Sequence, residues 1–139
     1  MKLRILIVAA IILSFATLCV SQAQDKIKAA EAASEAWLKF VDSGDYSQSW
    51  QDASSLFKAA VSETDWEHKL KAARGPLGAL FSRKLKSAEY KTQLPGAPDG
   101  QYVVIQYDSS FANKKSAVET VTPMLDKDGK WHVSGYFIR

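Results

Sequence analysis

The fold is decided by the stretch from residue 101 to residue 139, which reads QYVVIQYDSSFANKKSAVETVTPMLDKDGKWHVSGYFIR. β-Branched and aromatic residues dominate it, and two turn signals interrupt it, Ala112-Asn113-Lys114 and Asp126-Lys127-Asp128-Gly129. Such runs between turn signals are typical of β-strands. We therefore predict strands over 101–111, 116–125 and 131–139. Short loops join antiparallel neighbours, so these strands form a meander.

Upstream of this stretch, a fourth strand is predicted over 80–92, before the turn signal Pro95-Gly96-Ala97-Pro98-Asp99-Gly100. The pattern before residue 80 is helical. Apolar residues recur at three- and four-residue steps over 25–41 and again over about 47–61, where Ser54-Ser55 can divide the second helix into two pieces.

A third helix opens at Ser62 with an N-cap followed three residues later by an acid, and it ends at Gly75-Pro76. Three helices followed by a meander predict an α+β fold, in which the helices pack across one face of a curved four-stranded antiparallel sheet. Nothing in the chain suggests a linker or a repeat, so we predict that the helices and the meander form a single domain.

The N-terminus has the pattern of a secretory signal peptide over residues 1–23. Lys2 and Arg4 precede an apolar run over 5–20, and Ser21-Gln22-Ala23 supplies small residues for cleavage between Ala23 and Gln24. An uncleaved anchor is disfavoured because the run is shorter than the roughly 20 residues of a spanning helix. Lipidation of Cys19 is disfavoured because Leu18 precedes it.

We therefore expect a periplasmic or secreted domain over 24–139, which meets a membrane only through its signal peptide during export. The 139-residue chain carries 18 Lys and Arg against 15 Asp and Glu. Without Lys2 and Arg4 the net charge falls from +3 to +1, which removes the electrostatic argument for nucleic acid. The remaining basic clusters, Arg83-Lys84 with Lys86 and Lys114-Lys115, are interpreted as solvated strand and turn positions.

Several segments, taken in order, resemble the bacterial domain-of-unknown-function family 4019. They are Ala36-Trp37, Gly44-Asp45-Tyr46, Ser49-Trp50, Arg74-Gly75-Pro76-Leu77-Gly78, Leu94-Pro95-Gly96, Ala117-Val118-Glu119-Thr120-Val121 and Trp131-His132-Val133-Ser134-Gly135-Tyr136. The resemblance implies a small exported bacterial domain with the layout of an NTF2-like, or cystatin-like, roll. It implies no reaction and brings no catalytic residues, and a fold alone does not indicate a function.

The sequence predicts neither a metal site nor a cofactor. His68 and His132 lie on different elements, and neither has a further ligand at metal-binding spacing. The chain after residue 23 has no cysteine and shows no nucleophile elbow, phosphate loop or dinucleotide-binding glycine pattern.

One acidic pair is a candidate catalytic site. A β-hairpin about Asn113-Lys114 places Asp108 opposite Glu119, and Glu119 then shares the helix-covered face with Val121, Leu125, Trp131, Val133 and Phe137. A buried carboxylate with a raised pKa can act as a general base. The alternative is a structural acid in a salt bridge, and a one-residue change of register moves both acids to the other face.

Aromatic residues suggest a second candidate site. An apolar pocket can be lined by Trp37, Tyr46, Trp50, Trp131 and Tyr136, although the same residues equally serve as core. The leading hypothesis is a non-enzymatic module that binds a protein or a small apolar ligand. The alternatives are an enzyme with a pocket carboxylate as general base and a structural accessory subunit of an envelope assembly. A homodimer stays open as a further alternative, because the sequence does not determine the oligomeric state.

Overall fold

The structure, a computed structural model, describes the backbone of residues 2–139 and the side chains of residues 19–139. Most of the predicted signal peptide, 1–23, therefore falls outside the described side chains, and its cleavage stays a prediction. Within the described residues, no helix has an apolar stretch that is long enough to cross a membrane.

Four helices and a short 3-10 turn form the first half of the chain. They are α1 (Lys2–Ser43), α2 (Tyr46–Gln51), α3 (Ser55–Ala60), α4 (Glu63–Arg74) and the turn Gly75–Leu77. The predicted second helix is divided into α2 and α3, because the backbone of Ser54 is extended rather than helical. The Ser54 hydroxyl caps α3 by accepting from the backbone N–H of Phe57 at 3.1 Å. We call residues 52–54 the α2–α3 corner.

The second half is a four-stranded antiparallel sheet with the order β1-β2-β3-β4. Its strands are β1 (Leu80–Lys91), β2 (Tyr102–Phe111), β3 (Lys114–Leu125) and β4 (Trp131–Ile138). The sheet is open, with β1 and β4 at its edges. Helices followed by an antiparallel meander confirm the predicted α+β fold.

The register between β2 and β3 corrects one prediction. Glu119 lies opposite Tyr107, and Asp108 lies opposite Val118, so the predicted pairing of Asp108 with Glu119 is wrong. The turn contains residues 112–113 rather than 113–114, and an irregularity in the strands follows it. Adjacent residues of a strand point to opposite faces, so Asp108 and Glu119 are separated by the sheet.

The register between β3 and β4 corrects a second prediction, which placed Phe137 on the helix-covered face. Val121 pairs with Tyr136 and Pro123 with Val133, which leaves one extra residue in β4 between these pairs. Such a bulge reverses the alternation of side chains beyond it. Tyr136 therefore faces the helices, and Phe137, which regular alternation from Val133 predicted on that face, is 54% exposed.

The core lies between the helices and the inner face of the sheet. Trp37 of α1 is at its centre, with ring centroids 6.2 Å from Trp66 of α4 and 5.4 Å from Tyr136 of β4. Its indole N–H donates to the backbone oxygen of Ser49 at 2.7 Å, so the polar group of this buried ring is satisfied. Buried residues around it include Ala30, Leu38, Val41, Leu70, Val103, Ile105, Val121 and Val133.

Candidate functional site

Glu119 is the most deeply buried acid among the described residues, with 0% of its surface exposed. Each of the two carboxylate oxygens accepts two hydrogen bonds. Arg83 donates from Nε to Oε1 at 2.8 Å and from Nη2 to Oε2 at 3.0 Å. The Ser109 hydroxyl donates to Oε1 and the Tyr136 hydroxyl to Oε2, each at 2.6 Å. The carboxylate is thus fully surrounded by donors.

Arg83 also connects Glu119 to a second acid. It donates from Nη1 and Nη2 to the two carboxylate oxygens of Asp42 at 2.7 and 2.9 Å. Arg74 donates from Nη2 to Asp42 Oδ1 at 2.9 Å, and its Nη1 lies 3.9 Å from Glu119 Oε2. We call Asp42, Arg74, Arg83 and Glu119 the ionic cluster. Two arginines balance two carboxylates, so the cluster as a whole is neutral.

Each side chain reaches the cluster through its helix or strand. Arg74 continues the buried stripe of α4 in four-residue steps from Trp66 and Leu70, and its guanidinium lies 4.8 Å from the ring centre of Phe111. Asp42 is in the last turn of α1, where the helix dipole disfavours a negative charge. The two arginines offset this cost.

The electrostatics keep Glu119 ionised. Burial alone raises its pKa, but the hydrogen bonds and positive charge of Arg83, together with the hydroxyls of Ser109 and Tyr136, bring the pKa below its ordinary value. Burial and the charge of Glu119 raise the pKa of Tyr136, so this phenol stays neutral and donates. An ionised carboxylate that accepts four hydrogen bonds has the geometry of a structural acid rather than a general base.

Sequence reasoning missed most of the ionic cluster. Arg83, expected to be solvated, has a side chain that is only 13% exposed, so that expectation is wrong. Leu85, two residues further along β1 and on the same face, gives no signal of this burial, because it is itself 52% exposed. Asp108 is exposed, with one oxygen 3.3 Å from Lys86 Nζ. The structure does not bring Asp108 and Glu119 into one site.

The aromatic candidates lie in different surroundings. Trp37 is fully buried, whereas Tyr46, Trp50 and Trp131 are half-buried and pack against the core. Tyr136 lines a surface cavity. This cavity, here called the α4–β4 groove, has a volume of about 250 Å³ and is lined by Trp66, Lys69, Leu70, Ala73, Tyr136, Phe137 and Ile138.

The groove opens beside the outer edge of β4. Val118 and Arg139 exchange both backbone hydrogen bonds, at 2.9 and 3.1 Å. In an antiparallel ladder the next residue, Ile138, must then direct its N–H and C=O away from β3. Nearer the start of β4, the outward C=O of Val133 accepts from the backbone N–H of Ser54 at 2.9 Å. The α2–α3 corner thus covers the first half of this edge only.

A second cavity, of about 340 Å³, lies between α3 and the loop that joins β1 to β2. Its walls include Leu56, Phe57, Leu94 and Pro95, and Tyr102 contributes its ring. For metals, the part of the chain with described side chains contains no group of three His, Cys, Asp or Glu residues that could hold an ion. His68 is exposed on α4.

The comparison with family models agrees with the resemblance seen in the sequence. The model described as "Protein of unknown function (DUF4019)" matches residues 33–136. Among curated proteins, none matches this chain. The matched region contains the whole ionic cluster and most of the α4–β4 groove. The chain therefore belongs to the DUF4019 family of proteins of unknown function.

Proposed function

We propose that this domain binds an extended segment of another protein along the outer edge of β4, with one large apolar side chain of that segment in the α4–β4 groove. The observation that carries the proposal is the outward-facing backbone of Ile138 beside an apolar cavity. A partner strand satisfies such an edge through main-chain hydrogen bonds, and a pocket beside it supplies specificity.

The chemistry of the groove supports this kind of partner. Its volume of about 250 Å³ lies below the usual range for drug-sized ligands, and suits a single side chain better. Phe137, 54% exposed, contributes an aromatic surface of the kind enriched at protein interfaces. Lys69 lines the same groove and favours an acidic residue close to the apolar one in the bound segment.

The enzyme alternative has less support. A general base needs a carboxylate that can take a proton from a substrate, whereas four donors already surround the carboxylate of Glu119. The side chain of Glu119 also lines neither of the two cavities described above. An accessory subunit of an envelope assembly is compatible with the proposal, because such a subunit also needs a docking surface.

We infer further that the domain acts in the periplasm or outside the cell, after removal of residues 1–23. The support is the sequence pattern before Gln24. We also infer that the fold is related to the NTF2-like roll, because helices cover one face of an antiparallel meander.

The proposal can be tested by panning residues 24–139 against a phage-displayed library of random twelve-residue peptides. We expect enriched peptides to share one aromatic or leucine residue with an acid nearby, and to bind with micromolar Kd. Phe137→Lys should weaken their binding at least about tenfold, since an interface aromatic commonly contributes more than 1 kcal/mol. Lys69→Glu should remove the preference for an acid.

Phe81→Lys is the matched control, because Phe81 is 64% exposed on the opposite edge strand, β1. Equal loss of binding in both lysine variants, or no enriched sequence at all, contradicts the proposal. Sedimentation velocity adds a separate outcome: a dimer of the wild-type chain that Phe137→Lys dissociates identifies a second copy, rather than a foreign segment, as the occupant of the groove.

A further inference from the structure

His132 connects two loops that are far apart in the sequence. Its Nδ1 lies 2.9 Å from the backbone oxygen of Asp52 in the α2–α3 corner. Its Nε2 lies 2.8 Å from a carboxylate oxygen of Asp128 in the turn between β3 and β4. The imidazole is therefore placed between the two loops with an oxygen at each nitrogen.

Both of these oxygens are acceptors only. A backbone carbonyl has no proton to donate, and neither has the carboxylate of Asp128, because hydrogen bonds from His132 and from the backbone N–H of Lys130 keep its pKa below the ordinary value. A neutral imidazole donates from one nitrogen and presents a lone pair at the other. Only the doubly protonated imidazolium can donate to both oxygens.

The other charged groups around His132 add to this arrangement. Asp126 belongs to the same turn, and its carboxylate accepts from the backbone N–H and the hydroxyl of Ser55, both at 2.6 Å. Lys58 of α3 and Lys127 of the turn line the same small cavity. The ammonium group of Lys58 is occupied, since it donates to the backbone oxygen of Gln51 at 3.0 Å.

We propose that protonated His132 is a pH-sensitive latch that fastens the α2–α3 corner to the β3–β4 turn. The His132 latch consists of the imidazolium, the Asp52 carbonyl and the Asp128 carboxylate. The same corner covers the outward C=O of Val133 through Ser54. Loosening the latch therefore removes one of the contacts that hold this corner over the first half of the β4 edge.

The direction of the pH response follows from the pKa of His132. Burial lowers this pKa, but the hydrogen bonds to Asp128 and Asp52 outweigh burial and raise it above its ordinary value of 6.5. The latch is fully formed below pH 6.5 and is lost as the pH rises through the raised value. The contact between Ser55 and Asp126 stays, because the hydrogen bonds from Ser55 lower the pKa of Asp126 to about 2. The effect of losing the latch is therefore confined to the α2–α3 corner.

The protonation state can be measured by NMR on residues 24–139 with ¹⁵N-labelled histidine. The domain contains two histidines, and His68→Gln assigns their signals without touching the latch. We expect His132 to titrate above the ordinary histidine value of 6.5, with both ring nitrogens protonated at pH 6, and Asp128→Asn to lower its pKa. A neutral His132 ring at pH 6, or a His132 pKa at or below 6.5, overturns the proposal.

Hydrogen exchange tests the opening itself. We expect the amide protection factors of residues 52–54 to fall about tenfold between pH 6 and pH 8.5 in the wild type and in His68→Gln, since a charge-assisted hydrogen bond is lost. In His132→Gln the protection should be low at both pH values. A wild type without this fall, or a His132→Gln variant that keeps it, contradicts the latch.

Discussion

At the scale of single residues, Glu119 determines how the ionic cluster contributes to stability. Burying its carboxylate and the Arg83 guanidinium carries a large desolvation cost, which their mutual attraction offsets only with good geometry. That geometry is present, since the two side chains form a bidentate pair at 2.8 and 3.0 Å. Removing one member leaves the other charge buried without its partner, which is the costly event.

Glu119→Gln should therefore destabilise the domain by about 3–5 kcal/mol. The substitution keeps the shape of the side chain, but it replaces one acceptor by an amide group that donates, opposite the donors of Arg83, Ser109 or Tyr136. Urea unfolding at pH 7, followed by tryptophan fluorescence, measures the change in the free energy of unfolding.

Asp108→Asn is the control for Glu119→Gln. Asp108 is exposed and its ion pair with Lys86 is solvated, so the expected change is within about 0.5 kcal/mol. The wild type should also lose stability as the pH falls below 4.5 through the lowered pKa of Glu119, since the unfolded chain takes up that proton first. A Glu119→Gln variant as stable as its parent at pH 7 would show that the cluster is not a structural unit.

The sequence predicts that Glu119 lies on the buried face of the sheet, but it does not predict which side chains contact it. Alternation along β3 was enough to place the acid on the helix-covered face. The other members of the ionic cluster come from α1, α4 and β1, and the contact of Arg83 with Glu119 spans 36 positions. No local pattern encodes such contacts, because they depend on how helices pack on the sheet.

At the scale of elements, the connection from α4 to β1 depends on one glycine. Gly78 has φ 73° and ψ −160°, a combination that only glycine adopts readily. A Cβ atom built at this position would also lie 3.0 Å from the Cβ of Ala112 in the β2–β3 turn. Gly78 therefore lets the chain leave α4 closely packed against that turn.

Gly78→Ala should lower the stability by about 1–3 kcal/mol, through the unfavourable backbone conformation and the close contact. Thermal unfolding by circular dichroism measures the change. Gly75→Ala is the matched control, because Gly75 has helical backbone angles and open space around its Cβ position. Alanine there should be neutral or slightly stabilising. Equal effects at the two positions would show that the backbone of Gly78 is not the cause.

The boundaries of the elements were predictable where the chain marks them. Proline, glycine and asparagine in the turns separate the strands, and the observed β1 and β4 begin at the predicted residues 80 and 131. The irregularities within the strands were not predictable. The bulge before Tyr136 leaves no turn signal apart from Gly135, yet it decides that Tyr136 rather than Phe137 faces the core.

At the scale of the whole molecule, α1 packs against the sheet through side chains that lie downstream of the predicted cleavage site. The ammonium group of Lys26 lies 5.0 Å from the ring centre of Tyr90. Ile27 packs against the core, and Ala30 belongs to it. If residues 1–23 are a signal peptide, their removal leaves these contacts in place.

We therefore expect protein recovered from the periplasm of an expressing bacterium to begin at Gln24. Intact mass spectrometry measures this directly. A mass that retains residues 1–23 would identify the segment as an anchor, and an added lipid on Cys19 would identify a lipoprotein.

The same contacts predict that the domain extends beyond the region matched by the family model. A chain of residues 24–139 keeps Ile27 and Ala30, whereas a chain of residues 33–139, which starts where the match starts, lacks them. Burial of these apolar groups contributes about 2 kcal/mol, so the shorter chain should melt about 10 °C lower. Differential scanning calorimetry of both chains measures the difference.

Ile27→Ala in the longer chain separates lost packing from lost helix length, because it removes the side chain but keeps the helix. A shorter chain that melts at the same temperature as the longer one would show that residues 24–32 lie outside the cooperative unit.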